Sequence, residues 1–149
     1  MAYFDHDFVA AYRIVAPQWA STAFSGEGAK KFGGRWNSPG NSVVYLGGSR
    51  ALAALEMLVH LTTPDSRKIE FQIFEVIIPT SLIQDHITIH SGHERAAGDA
   101  WLRERKFLSL QVPSILIPEE PNFLLNPSHP AFSKITIGPA KSFHFDPRL

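Results

Sequence analysis

The chain contains no cysteine. That removes disulfides, thiolate nucleophiles and Cys-ligated zinc or iron–sulfur sites, and it fits a reducing compartment. It also lacks any surplus of charge, since fourteen Lys and Arg balance fourteen Asp and Glu. A chain built to coat nucleic acid by counterion release is usually basic overall, so direct nucleic-acid binding starts as a weak reading. Long apolar runs are missing too. The longest, Ala51 to Leu61, is too short to span a bilayer and is interrupted by Glu56. The stretch Met1 to Asp7 carries Asp5, His6 and Asp7 where a signal peptide needs basic residues and an apolar run. These absences predict a soluble, cytoplasmic protein with no membrane association.

What remains is globular. The 149 residues are 44% hydrophobic and 19% charged, enough for one core and one domain spanning 1–149. Seven of the ten glycines lie between Gly26 and Gly48, which marks a loop where backbone turns sharply or approaches something closely. Seven of the eleven prolines lie from Pro113 onward, which marks an extended tail of strands and turns. Strands are predicted at Ala11–Val15, Ser42–Leu46, Ile69–Ile78, Phe107–Leu110, Ser114–Ile117, Lys134–Ile137 and Ser142–Phe145, with a strand or extended segment over Leu82–His90. Helices are predicted at Arg50–Leu61, capped by Ser49 and closed by Pro64, and at Glu94–Lys106, which looks exposed. Helices and strands do not alternate regularly, so the expected fold is α+β with a mixed, largely antiparallel sheet.

The first helix is apolar on every face and is expected to be buried, with Glu56 in its middle. A buried carboxylate costs several kcal/mol unless it is paired or hydrogen-bonded (roughly the penalty of a desolvated ion). Glu56 is therefore either half of a structural ion pair or a carboxylate held at a cleft floor. Upstream, Phe24 to Gly40 joins paired glycines, Lys30, Lys31 and Arg35, whose guanidinium fork suits a phosphate. The segment is either a surface turn or an anion site. It matches neither the P-loop nor the dinucleotide fingerprint. With Tyr45 on the strand between them, Arg35 and Glu56 would be able to hold a dinucleotide by phosphate, ring and ribose. Weaker candidates are a metal site at His86, His90 and His93, which lacks a completing ligand, and a Ser114–His129–Asp146 hydrolase without a nucleophile elbow. Glu94, Arg95, Arg103, Glu104, Arg105 and Lys106 read as a solvated helix face.

The motifs Tyr12-Arg13-Ile14, Gly33-Gly34-Arg35-Trp36-Asn37-Ser38-x-Gly40, Val43-Val44-Tyr45, Ala53-x-Leu55-Glu56-x-Leu58-Val59-His60, Val112-Pro113-Ser114, Asn122-x-x-Leu125-Asn126-Pro127-x-His129-Pro130 and Phe145-Asp146-Pro147-Arg148-Leu149 resemble the RES domain family. The resemblance runs from Tyr12 to the last residue. It implies an ADP-ribosyltransferase-like fold and a toxin of a bacterial toxin–antitoxin pair that depletes NAD+ by cleaving its nicotinamide–ribose bond, as glycohydrolase or phosphorylase. The alternative it implies is transfer of ADP-ribose to a protein; a non-catalytic, nucleic-acid-binding regulator is the reading from another class. Carried over, the family Arg is Arg35, the active-site Tyr is Tyr45, the Glu is Glu56 and the Ser is Ser114. Ser114 is preferred to Ser49 and Ser128 because it sits in Val-Pro-Ser at the head of a predicted strand. Gly34, Trp36 and Asn37 join Arg35, Tyr45 and Ser114 as expected substrate contacts. NAD+ is then the substrate, no cofactor or metal is expected, and the implied partner is a helix-turn-helix antitoxin that caps the cleft within an oligomeric complex and makes any DNA contact.

Overall fold

The computed structural model describes residues 7–87, 89 and 91–149. Met1–His6, Thr88 and His90 lie outside them, so the acidic N-terminal stretch apart from Asp7 and the His86/His90 pairing are not addressed. The eight strands are β1 (Phe8–Val15), β2 (Val44–Gly47), β3 (Phe71–Pro79), β4 (Ile83–Gln84), β5 (Ser109–Pro113), β6 (Pro121–Leu125), β7 (Thr136–Ile137) and β8 (Lys141–Phe143). Among the described residues three α-helices accompany them: α1 (Glu27–Phe32), α2 (Arg50–His60) and α3 (Glu94–Glu104). The strands form one sheet in the order β4-β5-β6-β2-β1-β3-β7, with β8 also on β3. Every pairing is antiparallel except β4 with β5. The fold is α+β with a mixed, largely antiparallel sheet, as the sequence predicts.

Alternation along the strands sends side chains to opposite faces. Val9, Ala11, Val44, Leu46, Val76 and Ile78 join one cluster. Tyr12, Ile14, Phe71 and Ile73 pack instead against Ala53, Met57 and Leu58 of α2. A third cluster joins Trp36 of the glycine-rich loop, Trp101 and Leu102 of α3, and Leu110 and Leu124 of the sheet. Strands β1 and β3 pair along eight residues, whereas β1 and β2 register at one pair, Tyr12 with Gly47. Beyond that pair, Arg13 of β1 reaches across to the carbonyl of Tyr45 in β2.

Several elements differ from expectation. Helix α2 has Ser49 as its cap, with Oγ accepting from Leu52 N–H at 3.0 Å, but it is not buried all round. It lies on the sheet by Leu52 and Ala53 and leaves Leu55 and Val59 exposed, because nothing among the described residues covers its outer side. Helix α3 is not simply solvated: Gly98, Trp101 and Leu102 are buried, at the spacing of one helical stripe, behind flanking charge. It stops at Glu104, where Arg105 takes a left-handed conformation (φ 53°). The expected strand Ser114–Ile117 is a turn; the strand before it runs Ser109–Pro113, and the unanticipated β6 follows. Of the expected segment Leu82–His90, the described residues form a strand only at the two-residue β4, after a 3₁₀ turn at Thr80–Leu82. The glycine-rich segment contains the short helix α1, entered through Gly26 at φ 75°.

Candidate active site

A cleft of about 660 Å³ opens beside the β1–β2 divergence and is walled by the glycine-rich loop and by α2. Arg13, Gly34, Arg35, Tyr45, Glu56 and Asn122 all contribute to its lining. Glu56 reaches it because α2 starts directly after β2 and lies back over the sheet, which aims one helical face at the cleft. Oxygen Oε1 of Glu56 accepts two hydrogen bonds, from Ser114 Oγ at 2.6 Å and from Asn122 Nδ2 at 3.2 Å. The Ser114 hydroxyl itself accepts from the N–H groups of Leu116 and Ile117 at 3.1 and 3.2 Å. Those two donors occupy its lone pairs and direct its proton onto Glu56. Glu56 is thus no half of an ion pair; Oε1 is fixed by neutral donors, while Oε2 receives no hydrogen bond from a described residue.

Tyr45 is bound into the loop by its hydroxyl, which donates to Asn37 Oδ1 at 2.6 Å and accepts from Trp36 N–H at 3.0 Å. Burial pushes its phenol up to about 12, against a smaller pull downward from the Trp36 N–H. Gly34 makes this possible, because a Cβ there would lie 2.7 Å from the Tyr45 oxygen. Asn37, fully buried, donates to the carbonyls of Ala29, Ser38 and Asn41. Trp36 is 4% exposed and packs in the core with Trp101. Trp36 and Asn37, expected as substrate contacts, therefore support the loop from behind and do not line the cleft. Ser114 likewise is buried, sits after the end of β5 and not at the head of a strand, and donates to Glu56.

Two cations line the same cleft as the carboxylate. Arg35 is about half exposed and pairs with Glu94 Oε2 at 3.5 Å. Arg13 is half-buried, with Nε donating to Ala23 O at 2.6 Å and a terminal nitrogen donating to Tyr45 O at 3.1 Å. Burial pulls its guanidinium down to about 10, which still leaves it charged at neutral pH. No carboxylate pairs with it among the described residues, so the cleft holds a partly desolvated positive charge without a counter-ion. Arg13 was not read from the sequence as a site residue; a charged residue inside an otherwise apolar strand, Ala10-Ala11-Tyr12-Arg13-Ile14-Val15, was the available signal.

The start of α3 also reaches this region through Glu94 and Arg95, whereas Arg103, Glu104, Arg105 and Lys106 form the exposed face that the sequence predicts. Besides the Glu94–Arg35 pair, Arg95 Nε donates to Gly34 O at 3.2 Å. Asp99 accepts from Ser38 N–H, Ser38 Oγ and Asn41 Nδ2 at 2.8, 2.6 and 2.9 Å. Burial pushes the Asp99 carboxyl up, but these hydrogen bonds together outweigh it and hold the group below its usual range. The other candidates disperse. His129 Nδ1 accepts from Ala131 N–H and Asp146 binds Arg148, so neither joins Ser114. Ser49 caps α2, and Ser128 N–H donates to Asn126. Among the described residues no cluster of three or more His, Asp or Glu is placed to hold a metal ion, and no helix is long and apolar enough to cross a membrane.

Comparison with known proteins agrees with the sequence motifs. Residues 10–146 match the RES domain. "Toxin Res" of Yersinia enterocolitica is 40% identical, over 93% of this chain and 97% of that protein. "Prs ADP-ribosylating toxin" of Sphingobium sp. strain YBL2 is 33% identical, over 84% and 85%. Among solved structures, the M. tuberculosis MbcT–MbcA toxin–antitoxin complex contains a chain with the same fold, at a TM-score of 0.75 and 18% identity, covering 95% of this chain and 86% of that one.

Proposed function

Because the chain belongs to the RES domain family, we propose that it is the toxin of a toxin–antitoxin system and that it consumes NAD+ in this cleft by breaking the nicotinamide–ribose bond. The observation that carries the reading is the state of Glu56: a carboxylate lining a cleft that also holds two guanidinium groups, with one oxygen anchored and the other without a hydrogen bond from a described residue. In the reaction, the bond between ribose C1′ and the pyridinium nitrogen breaks with its electron pair leaving on nicotinamide. That neutralises the pyridinium and leaves positive charge on the ribose. A fixed carboxylate beside that sugar stabilises the developing charge, as in glycoside hydrolysis. Water, or phosphate, then bonds to C1′, and water's proton passes to solvent.

The remaining residues bind and orient. Arg13 and Arg35 suit the pyrophosphate, with Arg13 supplying a charge that its surroundings leave unpaired. Tyr45 offers its ring face, since its hydroxyl is already engaged twice. Gly34 lets the loop backbone approach the ligand, and Ser114 holds Glu56. The chemistry requires neither a metal nor a second cofactor. The reading brings with it a cognate helix-turn-helix antitoxin that covers the cleft in an oligomeric complex, makes any DNA contact and acts in the cytoplasm. A toxin–antitoxin complex among the proteins sharing the fold supports such a partner.

Purified protein incubated with NAD+, with and without phosphate, is expected to release nicotinamide. Glu56→Gln should slow that release by roughly two to three orders of magnitude, the scale of losing one transition-state stabiliser. No release in either condition sinks the reading. A second reading, transfer of ADP-ribose to a protein, is favoured by the relative named an ADP-ribosylating toxin. It predicts that label from the adenylate half of NAD+ ends on a cell protein and not in free ADP-ribose or its phosphate.

A further inference from the structure

Asn122 lies in β6, opposite Val112 of β5 and Gly47 of β2, and its side chain enters the cleft wall. Its Nδ2 donates to Glu56 Oε1, the oxygen that Ser114 also holds. Its Oδ1 is buried and finds no donor among the described residues. The amide cannot relieve that by turning over, because Oδ1 would then face the carboxylate and the donor would be lost. A buried acceptor left unpaired is costly and calls for an explanation. Here it accompanies an Nδ2 committed to Glu56. Two donors on Oε1 remove the rotational freedom of the carboxylate and leave Oε2 as the oxygen facing the cleft.

We propose that Asn122 is a positioning residue, which together with Ser114 fixes Oε1 of Glu56 and thereby makes Oε2 the oxygen that meets the ligand. This rests on Glu56 being the reacting carboxylate. An anchored carboxylate needs no reorganisation as charge develops on the sugar, so the benefit appears in the transition state more than in binding.

In the NAD+ assay, Asn122→Ala is expected to lower kcat roughly ten- to a hundredfold, the factor carried by one hydrogen bond to a charged group. KM should stay within about twofold, as befits an interaction that strengthens in the transition state. The same substitution in a Glu56→Ala background should bring no further loss, because its effect passes through the missing carboxylate. An equal loss in both backgrounds, or one confined to KM, overturns the proposal. The contact itself is read without substrate: the side-chain amide resonances of Asn122 should move when Glu56 is replaced by Ala. Unmoved resonances overturn the proposal, even where Asn122→Ala fails to fold. If wild-type protein releases no nicotinamide, the substrate reading fails, while the amide resonances still decide whether Asn122 holds Glu56.

Discussion

The hydroxyl of Tyr45 donates to Asn37 Oδ1 and accepts from Trp36 N–H, so it fastens the glycine-rich loop to β2. Removing it as Tyr45→Phe leaves two largely buried groups without a partner. That should destabilise the protein by about 1–3 kcal/mol, a fall in Tm of roughly 3–10 °C for a chain of this size. The phenol also predicts a pH signature. Its folded-state value is about 12, against an ordinary 10, because burial favours the neutral form. The unfolded chain therefore gives up its proton first as pH rises. The stability contributed by the buried neutral phenol is whole below pH 10 and drains away as pH climbs towards about 12. Urea unfolding of wild type and Tyr45→Phe at stepped pH isolates this group from others that titrate there. The gap between the two proteins should be constant from pH 7 to 9 and narrow above 10; a gap unchanged up to pH 12 would contradict it.

Helix α3 shows where reading by element succeeds and where it stops. Ser49 as a cap and Pro64 beyond the end made α2 legible, and Arg35, Tyr45 and Glu56, read from motifs, stand around one cleft. For α3 the charges were visible but the packing was not, because Gly98, Trp101 and Leu102 form only a narrow stripe between them. Gly98 is fixed by tertiary contact alone: a Cβ there would sit 1.8 Å from the carbonyl oxygen of Trp36. Strand β6 was missed because Pro121 opens it within a proline-rich tail, although proline is tolerated at a strand's first residue. Asn122 was visible as a motif residue, but without β6 its place beside Glu56 was not, and with it half the support of that carboxylate. Since Asp99 of α3 holds Ser38 and Asn41, Asp99→Asn should loosen the loop that carries Arg35. KM for NAD+ is expected to rise roughly two- to tenfold, the worth of an ordinary hydrogen bond, with kcat little changed. The folded-state value of Asp99 is depressed, so its stabilising contribution is present above the ordinary carboxylate value of 3.8 and lost as pH falls through the lower folded one. The difference in stability between wild type and Asp99→Asn should accordingly be larger at pH 7 than at pH 3. A difference independent of pH would exclude this role for the carboxylate.

Across the whole molecule, charge is balanced but not evenly spread. No acidic residue lies between Glu27 and Glu56, while Lys30, Lys31, Arg35 and Arg50 do. Folding adds Arg13 to that basic region from strand β1, half-buried and without a carboxylate partner among the described residues. The native state thus carries a partly desolvated charge that an anionic ligand would compensate, and ligand binding should feed directly into global stability. In the slow Glu56→Gln protein, NAD+ at a hundredfold excess over its Kd should stabilise the fold by about 2.7 kcal/mol, which raises Tm by roughly 5–11 °C. ADP-ribose should produce a shift of the same sign, because it keeps the pyrophosphate and loses only the nicotinamide. Replacing Arg13 by Met in that background should abolish most of the shift for both ligands, whatever it does to the unliganded Tm. Nicotinamide alone, which has no anionic group, should give little shift in either protein. A shift of equal size with and without Arg13 would mean that the pyrophosphate is held elsewhere in the cleft, with Arg35 the next group to replace.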